Sequence, residues 1–584
     1  MKKQLKFAAV LSTSAFLALC APLLSFADEG WNQRGSDWVY FNADGERVIS
    51  SWIEQGENWY WMDENGVMAA NGLVQIKGDY YYFREDGTMV SEDWVGIPNP
   101  NAGTENEPQQ YWYYFQKNGK AYRRQDNGST SIKAKTINGK KYAFDTEGRM
   151  LYGWVSEGTR QTGEDAWQYS DYYFGTEDDG AMAQGWSRIY IIDEDPDEEQ
   201  PGSGFWEEEQ DRWFYFDNGR KVKGKEGRCR FKLINNNKYG FDEYGRMIST
   251  WYSDTTTLAT SRSESEDGKT YQGQEDYTRK FMYFGTPESG VQYTNGWFRA
   301  RPSEYLMKSK YDAEETYMYY AEADGHIVAN EIKCIDREYY GFDNAGRAFT
   351  GLVCLRMDNA QTSSQINYSF YSDTTENASR APFATVGEFN HLVETFAEDF
   401  ASGRMRIYSF SGTNGTMLTG AQQLQLGKTG DRRDFLFETT GALKGSGIHG
   451  EKNGKLYKAG LLTKPKDDQK YAIIKKTYKT LPNNASEEEK KDFQNKDVDG
   501  DGKIEGIYTE ITIERFIQEV CNSGIYDNDD DKTVWTVRYD PPGTTYYLID
   551  ANGNIIKNTK RTSNMDGYTF NVKNKKIQTI TFKE

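Results

Sequence analysis

The chain has 584 residues, a formal net charge of −19, 15% aromatic residues and a mean hydropathy of −0.85. Those values exclude a multi-span membrane protein and, because disordered chains are poor in aromatics, wholesale disorder. So acidic a chain suits neither nucleic acid nor an anionic membrane, and a cationic ligand fits it better.

Residues 1–27 read as a secretory leader. Lys2, Lys3 and Lys6 precede an apolar stretch from Phe7 to Leu24, and Ser25-Phe26-Ala27 offers a cut before Asp28. Leu19 stands where a lipoprotein signal at Cys20 would want a small residue. Losing three leader lysines takes the balance from −19 to −22. The mature chain is expected to be secreted, at the cell wall or cell surface, with no membrane span. Its remaining cysteines are Cys229, Cys334, Cys354 and Cys521, too few for a disulfide scaffold. Cys334 and Cys354 lie 20 residues apart, about one repeat, so stacked hairpins could bring them together.

The mature sequence opens on a repeat. Trp31, Trp52, Leu73 and Trp94 fall 21 residues apart, as do Trp38, Trp59 and Tyr80, and Gly45, Gly66 and Gly87. Each unit runs from an apolar residue to an aromatic run and then DG or NG: WVYFNADG, WYWMDENG, YYYFREDG. Alternating aromatics predict a strand with one packed face, and the DG or NG pair predicts a tight type I′ hairpin turn. A lone hairpin cannot bury its aromatic face, so the units are expected to stack.

Beyond residue 98 the units continue with insertions. Phe144, Phe241 and Phe342 mark a super-repeat of about 100 residues. The inserts at 99–110 and 193–211 are polar and acidic and read as solvated loops. Another insert reads as a helix, capped by Thr385 and Glu388, with Phe389, Leu392, Val393, Phe396 and Phe400 on one stripe and Gly403 at its end. The expected fold is mainly all-β: a solenoid of stacked ~21-residue β-hairpins with insertions, plus a small α+β C-terminal domain. The expected divisions are 1–27, 28–98 for the regular repeats, 99–460 for the interrupted ones, and 461–584 for the C-terminal domain.

This pattern resembles the cell-wall-binding repeats of Gram-positive surface proteins, which include the choline-binding repeats. The resemblance covers about 30–460 and is strongest over 30–98. It implies a ligand held between neighbouring hairpins by three aromatics, here Trp31, Trp38 and Trp59 in one box and Trp52, Trp59 and Tyr80 in a second. Leu73 replaces the tryptophan of a third box, and after Trp94 the spacing is lost. A quaternary ammonium cannot hydrogen-bond, so aromatic faces are what can hold it. The same rings also serve as solenoid core, and stacked aromatics pack on sugar rings.

DVDGDGKIEGIY at 497–508 resembles an EF-hand loop, with Asp497, Asp499 and Asp501 at alternating positions and Gly502 at the sharp turn. Lys503 and Glu505 complete the candidate calcium set, while Tyr508 occupies the place of the usual closing Glu. Ser486 and Glu489 cap an entering helix, and Ile513, Phe516, Ile517 and Val520 form an exiting one.

No catalytic constellation stands out. His326, His391 and His449 are scattered, a Cys354–His391–His449 set falls inside the array, and neither HExxH nor GxSxG occurs. The first reading is a non-enzymatic surface protein whose partner is a wall polymer, recognised through teichoic-acid choline or through glycan. The alternatives are a peptidoglycan or polysaccharide hydrolase with an unfamiliar catalytic domain, and an adhesin or toxin-like binder of host glycans.

Overall fold

The computed structural model describes residues 29–104, 106–125, 130–192, 210–225, 228–253, 278–303, 306–307, 310–311, 313–357, 366–372, 385–427, 432–466, 468–528, 530–538, 541–563 and 567–583. The expected leader at 1–27 and most of the acidic insert at 193–211 lie outside them. The described chain is mostly β, built of many small hairpin sheets with no closed barrel. No helix among the described residues is long and apolar enough to cross a membrane.

Contacts divide the chain into two compact units, Met1–Ile192 with Phe214–Val222, and Asp193–Trp213 with Lys223–Glu584. The first unit opens with four two-stranded antiparallel hairpins: Gly30–Arg34 with Asp37–Phe41, Ser51–Gln55 with Asn58–Met62, Gly72–Ile76 with Asp79–Phe83, and Asp93–Pro98 with Gln110–Phe115. Successive hairpins are stitched through the backbone. Met68 N–H donates to the Trp38 carbonyl, Met89 N–H to that of Trp59, and Ala121 N–H to that of Tyr80, each at 2.8 Å. The inward positions Val39, Phe41, Met62, Phe83 and Phe115 are buried, as alternation requires of a strand packed on one face.

The DG and NG pairs do not close the hairpins. The strands are joined nine residues earlier in each motif, by the two-residue turns Gly35-Ser36, Gly56-Glu57 and Lys77-Gly78. Lys77 (φ 50°) and Gly78 (φ 89°) are both left-handed, as type I′ demands. The DG turn instead hooks the end of the second strand back on itself, giving the bridges Phe41↔Arg47, Met62↔Met68 and Phe83↔Met89. In the first two units the physical reason is the Asx residue three positions before the glycine, Asn42 or Asp63; in the third, Arg84 stands there and Asp86 accepts from the Thr88 N–H instead. Asp63 accepts from the N–H groups of Asn65 (2.8 Å) and Val67 (2.7 Å), which fixes a turn around its own carboxylate. Asp145, Asp242, Asp343 and Asp550 hold the corresponding residue four positions on in the same way.

In the second unit the antiparallel pairs Arg230–Ile234 with Asn237–Phe241, Thr250–Ser253 with Phe281–Phe284, Gly296–Ala300 with Tyr317–Ala321 and Glu331–Ile335 with Glu338–Phe342 lead to a three-stranded sheet and a five-stranded one. The expected helix is present as Val386–Thr395 and Ala397–Ser402, with Thr385 capping the Glu388 N–H and Gly403 (φ 75°) closing it. Phe389, Leu392, Val393 and Phe400 are buried against Phe435, Phe437 and Leu461. The C-terminal residues form a three-stranded sheet (Ile504–Ile511, Tyr471–Lys479, Thr545–Asp550), a five-stranded sheet, and the helices Glu487–Lys496 and Ile513–Val520. Ser486 and Glu489 make a complete capping box. The four cysteines of the described residues are free thiols, with Cys334 exposed and Cys354 buried, which corrects the expectation that those two could meet.

Candidate ligand-binding site

The aromatic faces follow from strand register. Trp31 stands opposite Tyr40 and Gln33 opposite Trp38, so Trp31, Trp38 and Tyr40 share one face of the first hairpin. In the second, Trp52 stands opposite Trp61 and Glu54 opposite Trp59, so these four share a face, and Tyr60 lies on the other. The Trp31 ring packs edge-on against Tyr40 (5.2 Å) and against Tyr60 of the next hairpin (4.9 Å), and its Nε1–H donates to Gln55 Oε1 at 2.7 Å. Trp52 repeats this arrangement one unit later, against Trp61 (5.2 Å) and Tyr81 (4.9 Å), with Phe83 at 5.9 Å and Trp59 at 6.3 Å.

The clamp recurs where sequence spacing loses it. Trp94 packs on Tyr114 and Tyr142, Trp154 on Tyr173 and Phe214, Trp251 on Tyr283 and Tyr319, and Trp297 on Tyr320 and Tyr340, at 4.6–5.3 Å throughout. The insert after Trp94 is absorbed as a long hairpin loop between Pro98 and Gln110. There the buried Asn99 side chain donates to Glu107 (2.9 Å) and to the Pro108 carbonyl, and the Tyr111 hydroxyl donates to Glu107. At the third junction Leu73 joins an aliphatic and aromatic cluster with Val90, Tyr113 and Phe115 instead.

Of the expected boxes, the structure brings Trp52 and Trp59 together. Among the described residues Trp38 and Tyr80 stack on no other ring, and Trp31 meets Tyr60 rather than Trp59. Tyr40, Tyr60, Trp61 and Tyr81 are the residues that sequence reading missed. Counting alternate positions in each aromatic run would have found them, because only every second ring can face a given neighbour. Trp59 remains 37% exposed, with the exposed carboxylate of Glu54 directly across the ladder. An exposed indole beside a carboxylate is a favourable place for a cation. Burial, and then the charge of Asp86, push the Tyr60 hydroxyl above its usual range, so that ring stays neutral.

At the acidic loop, carboxylate oxygens of Asp497, Asp499 and Asp501 lie within 4.8 Å of one another. Asp497 accepts from the N–H groups of Gly500 and Gly502, both at 2.9 Å, which curls the loop. The Lys503 ammonium reaches Asp501 at 3.4 Å. The loop leaves into the strand Ile504–Ile511, not into a helix, which corrects the EF-hand expectation. Ile504, Tyr508 and Ile511 are buried on that strand, Glu505 is exposed on it opposite Tyr478, and the helix Ile513–Val520 begins only afterwards.

The histidines are engaged locally. His326 Nδ1 lies 3.0 Å from Asp324, and His391 is exposed on its helix. The Ala459 N–H donates to His449 Nδ1 at 3.1 Å while Nε2 lies 2.9 Å from the Gly506 carbonyl, and burial lowers its pKa to about 4. Burial also pushes the Cys354 thiol far up, so it is not a thiolate at neutral pH.

Aromatic hairpins with a repeated tryptophan clamp are thus the recurring unit of this chain. Residues 50–68 and 71–89, spanning the second and third hairpins, match the family model described as a putative cell wall binding repeat. Three solved structures from Streptococcus pneumoniae show a likeness. The modular autolysin LytC in complex with a synthetic peptidoglycan ligand is 15% identical, covers 56% of this chain and 55% of that one, and has a TM-score of 0.28. Choline binding protein F with a peptidoglycan analogue is 15% identical over 71% of this chain and 98% of that one, with a TM-score of 0.28. The choline-binding domain of CbpL is 17% identical over 52% and 97%, with a TM-score of 0.21. The chain thus spans about half the length of the autolysin it matches. Comparison with curated protein sequences finds no match.

Proposed function

We propose that this is an exported, non-enzymatic protein that attaches to the cell wall by binding choline-bearing polymers through its aromatic hairpins. The observation that carries the reading is the face bearing Trp52, Glu54, Trp59 and Trp61, set in a matched repeat and closed by Tyr81 of the next hairpin. Rings supply a negative face without demanding a hydrogen bond, and the exposed carboxylate adds long-range attraction for a trimethylammonium group. The corresponding face of the first hairpin carries Trp31 and Trp38 toward Tyr60. The test is retention of the chain on purified choline-bearing walls. Release by excess free choline is expected. Retention that choline does not disturb would move recognition to glycan, and no retention would overturn wall attachment.

The acidic loop supports a second element of the same reading, a structural calcium ion held by Asp497, Asp499 and Asp501. The oxygen-only donor set suits a hard cation, the Lys503 carbonyl and Glu505 are the further candidate ligands, and the Lys503 ammonium would swing away from Asp501 on binding.

A further inference from the structure

One cavity reverses the charge of the molecule. It has a volume of about 240 Å³, and Arg123, Arg124, Lys133 and Lys135 line it over a floor of Ala143, Phe144 and Leu151. No carboxylate is among the described residues lining it, in a chain of net charge −19.

Local structure explains the convergence. Arg123 and Arg124 follow the bridge Phe115↔Ala121, and the Arg124 N–H donates to the Asp145 carbonyl at 2.8 Å, which fixes that wall. Lys133 and Lys135 enter on the segment that becomes the strand Lys135–Ile137. Gly158, at φ 73°, closes the third side. That φ favours glycine, and a Cβ there would lie 2.6 Å from Nη1 of the Arg124 guanidinium, which donates to the Glu157 carbonyl at 3.5 Å. The floor residues Ala143, Phe144 and Leu151 are buried.

Among the described residues, Arg123 and Lys133 are poorly neutralised. Arg123 has one carboxylate, Asp79 at 3.8 Å, which is shared with Lys120 at 2.6 Å. The Lys135 ammonium sits over the Tyr122 ring at 5.3 Å. Lys133 makes no ion pair or hydrogen bond among the described residues. Like charges gathered at one cavity repel each other, and an anion relieves that repulsion while each guanidinium offers a planar fork that matches phosphate oxygens. An apolar floor under a ring of cations fits a phosphate that is carried on carbon, with the carbon portion lying on Phe144 and Leu151.

We propose that this cavity binds the phosphate ester of a sugar or polyol, as a site separate from the aromatic cages. The group comes either from a free sugar phosphate or from the repeating phosphodiester of an anionic wall polymer.

Calorimetric titration of the full chain with glucose 1-phosphate, with poly(glycerol phosphate) and with neutral glucose tests this. Both phosphate probes are expected to bind, glucose is not, and rising salt should weaken binding. Arg123→Gln with Lys133→Gln should lower phosphate affinity about tenfold or more, and Lys133→Arg should retain it. Both positions are solvent-accessible, and circular dichroism checks that the variants fold. Tighter binding of the polymer per phosphate assigns the polymeric source, and equal binding assigns the free sugar phosphate. Saturating choline should leave phosphate affinity unchanged, so failure of the cages and failure of this cavity are read apart. No binding of either phosphate probe, or equal binding by the parent chain and the double Gln variant, would overturn the proposal.

Discussion

Trp31 meets Tyr60, not Trp59, across the first hairpin junction, with ring centroids 4.9 Å apart and planes at 66°. A one-residue difference in a strand is a change of face, so the two neighbouring aromatics of the second hairpin have opposite duties. Tyr60 closes the junction behind it, and Trp59 faces the junction ahead.

That division predicts separable mutants. Tyr60→Ala removes an edge-to-face partner and opens a gap under Trp31, and should cost about 2–3 kcal/mol of unfolding free energy. Trp59→Ala should cost less than about 1 kcal/mol, since the ring is already 37% exposed, yet lower choline affinity several-fold. Denaturant unfolding and a choline titration followed by tryptophan fluorescence measure both. Equal effects on stability would contradict the assignment of faces.

Asp343 and Arg347 form the most buried of the turn ion pairs, with the carboxylate accepting from Arg347 Nε at 2.7 Å and from Nη2 at 2.6 Å. Asp343 is 1% and Arg347 2% exposed. Asp343→Asn leaves the guanidinium buried without its counter-charge and should destabilise the second unit by about 3 kcal/mol or more. The corresponding Asp242→Asn, where the carboxylate is less enclosed, should cost less. Urea midpoints of the two variants decide the order.

His449 sets an acid limit. Its folded pKa of about 4 lies below the ordinary histidine value, so the folded state favours the neutral ring. The stability this provides is complete above pH about 6.5 and is lost as pH falls from there toward 4, on the order of 2–3 kcal/mol in all. Protonating Nδ1 would end its acceptance of the Ala459 N–H. His449→Gln should flatten that part of the stability profile. An unchanged slope between pH 6.5 and 4 would show that other groups carry it.

Calcium should raise the melting temperature of the full chain, and a chelator should reverse the rise. Asp499→Ala should abolish the response and leave the calcium-free melting temperature nearly unchanged, because Asp499 receives only one long backbone hydrogen bond, from Asp501 at 3.4 Å. Asp497→Ala should also lower the calcium-free value, since Asp497 holds Gly500 and Gly502.

The hairpin array was legible in sequence because its 21-residue period repeats both the aromatic run and the turn. The helix at 386 and the cap at Ser486 were legible for a similar reason, since each declares its own first turn. The site was less so. The DG and NG pairs looked like hairpin tips, but side-chain acceptors at Asn42, Asp63 and Asp86 capture the backbone there and turn them into returns, while Lys77-Gly78 and its equivalents close the hairpins. Misplacing the tip by nine residues mispairs the strands, and with them the face each aromatic takes. The ring neighbours Tyr60 and Tyr81 were missed because the boxes were carried over from the family's three-aromatic pattern, which names only the first aromatic of each run. The strand after the acidic loop was missed because the twelve-residue EF-hand frame claimed 497–508 as loop, whereas pairing with Tyr471–Lys479 draws Ile504–Ile511 into a sheet.

The long loop between Pro98 and Gln110 leaves the Trp94 clamp intact, with Tyr142 still 4.9 Å away. Length at a hairpin tip is therefore decoupled from the joints between hairpins. A foreign peptide, a protease site or a fluorescent label set at Gly103 should be carried outward as cargo while the joints behind it keep their geometry, which gives this kind of chain a way to acquire new surface without rebuilding its frame.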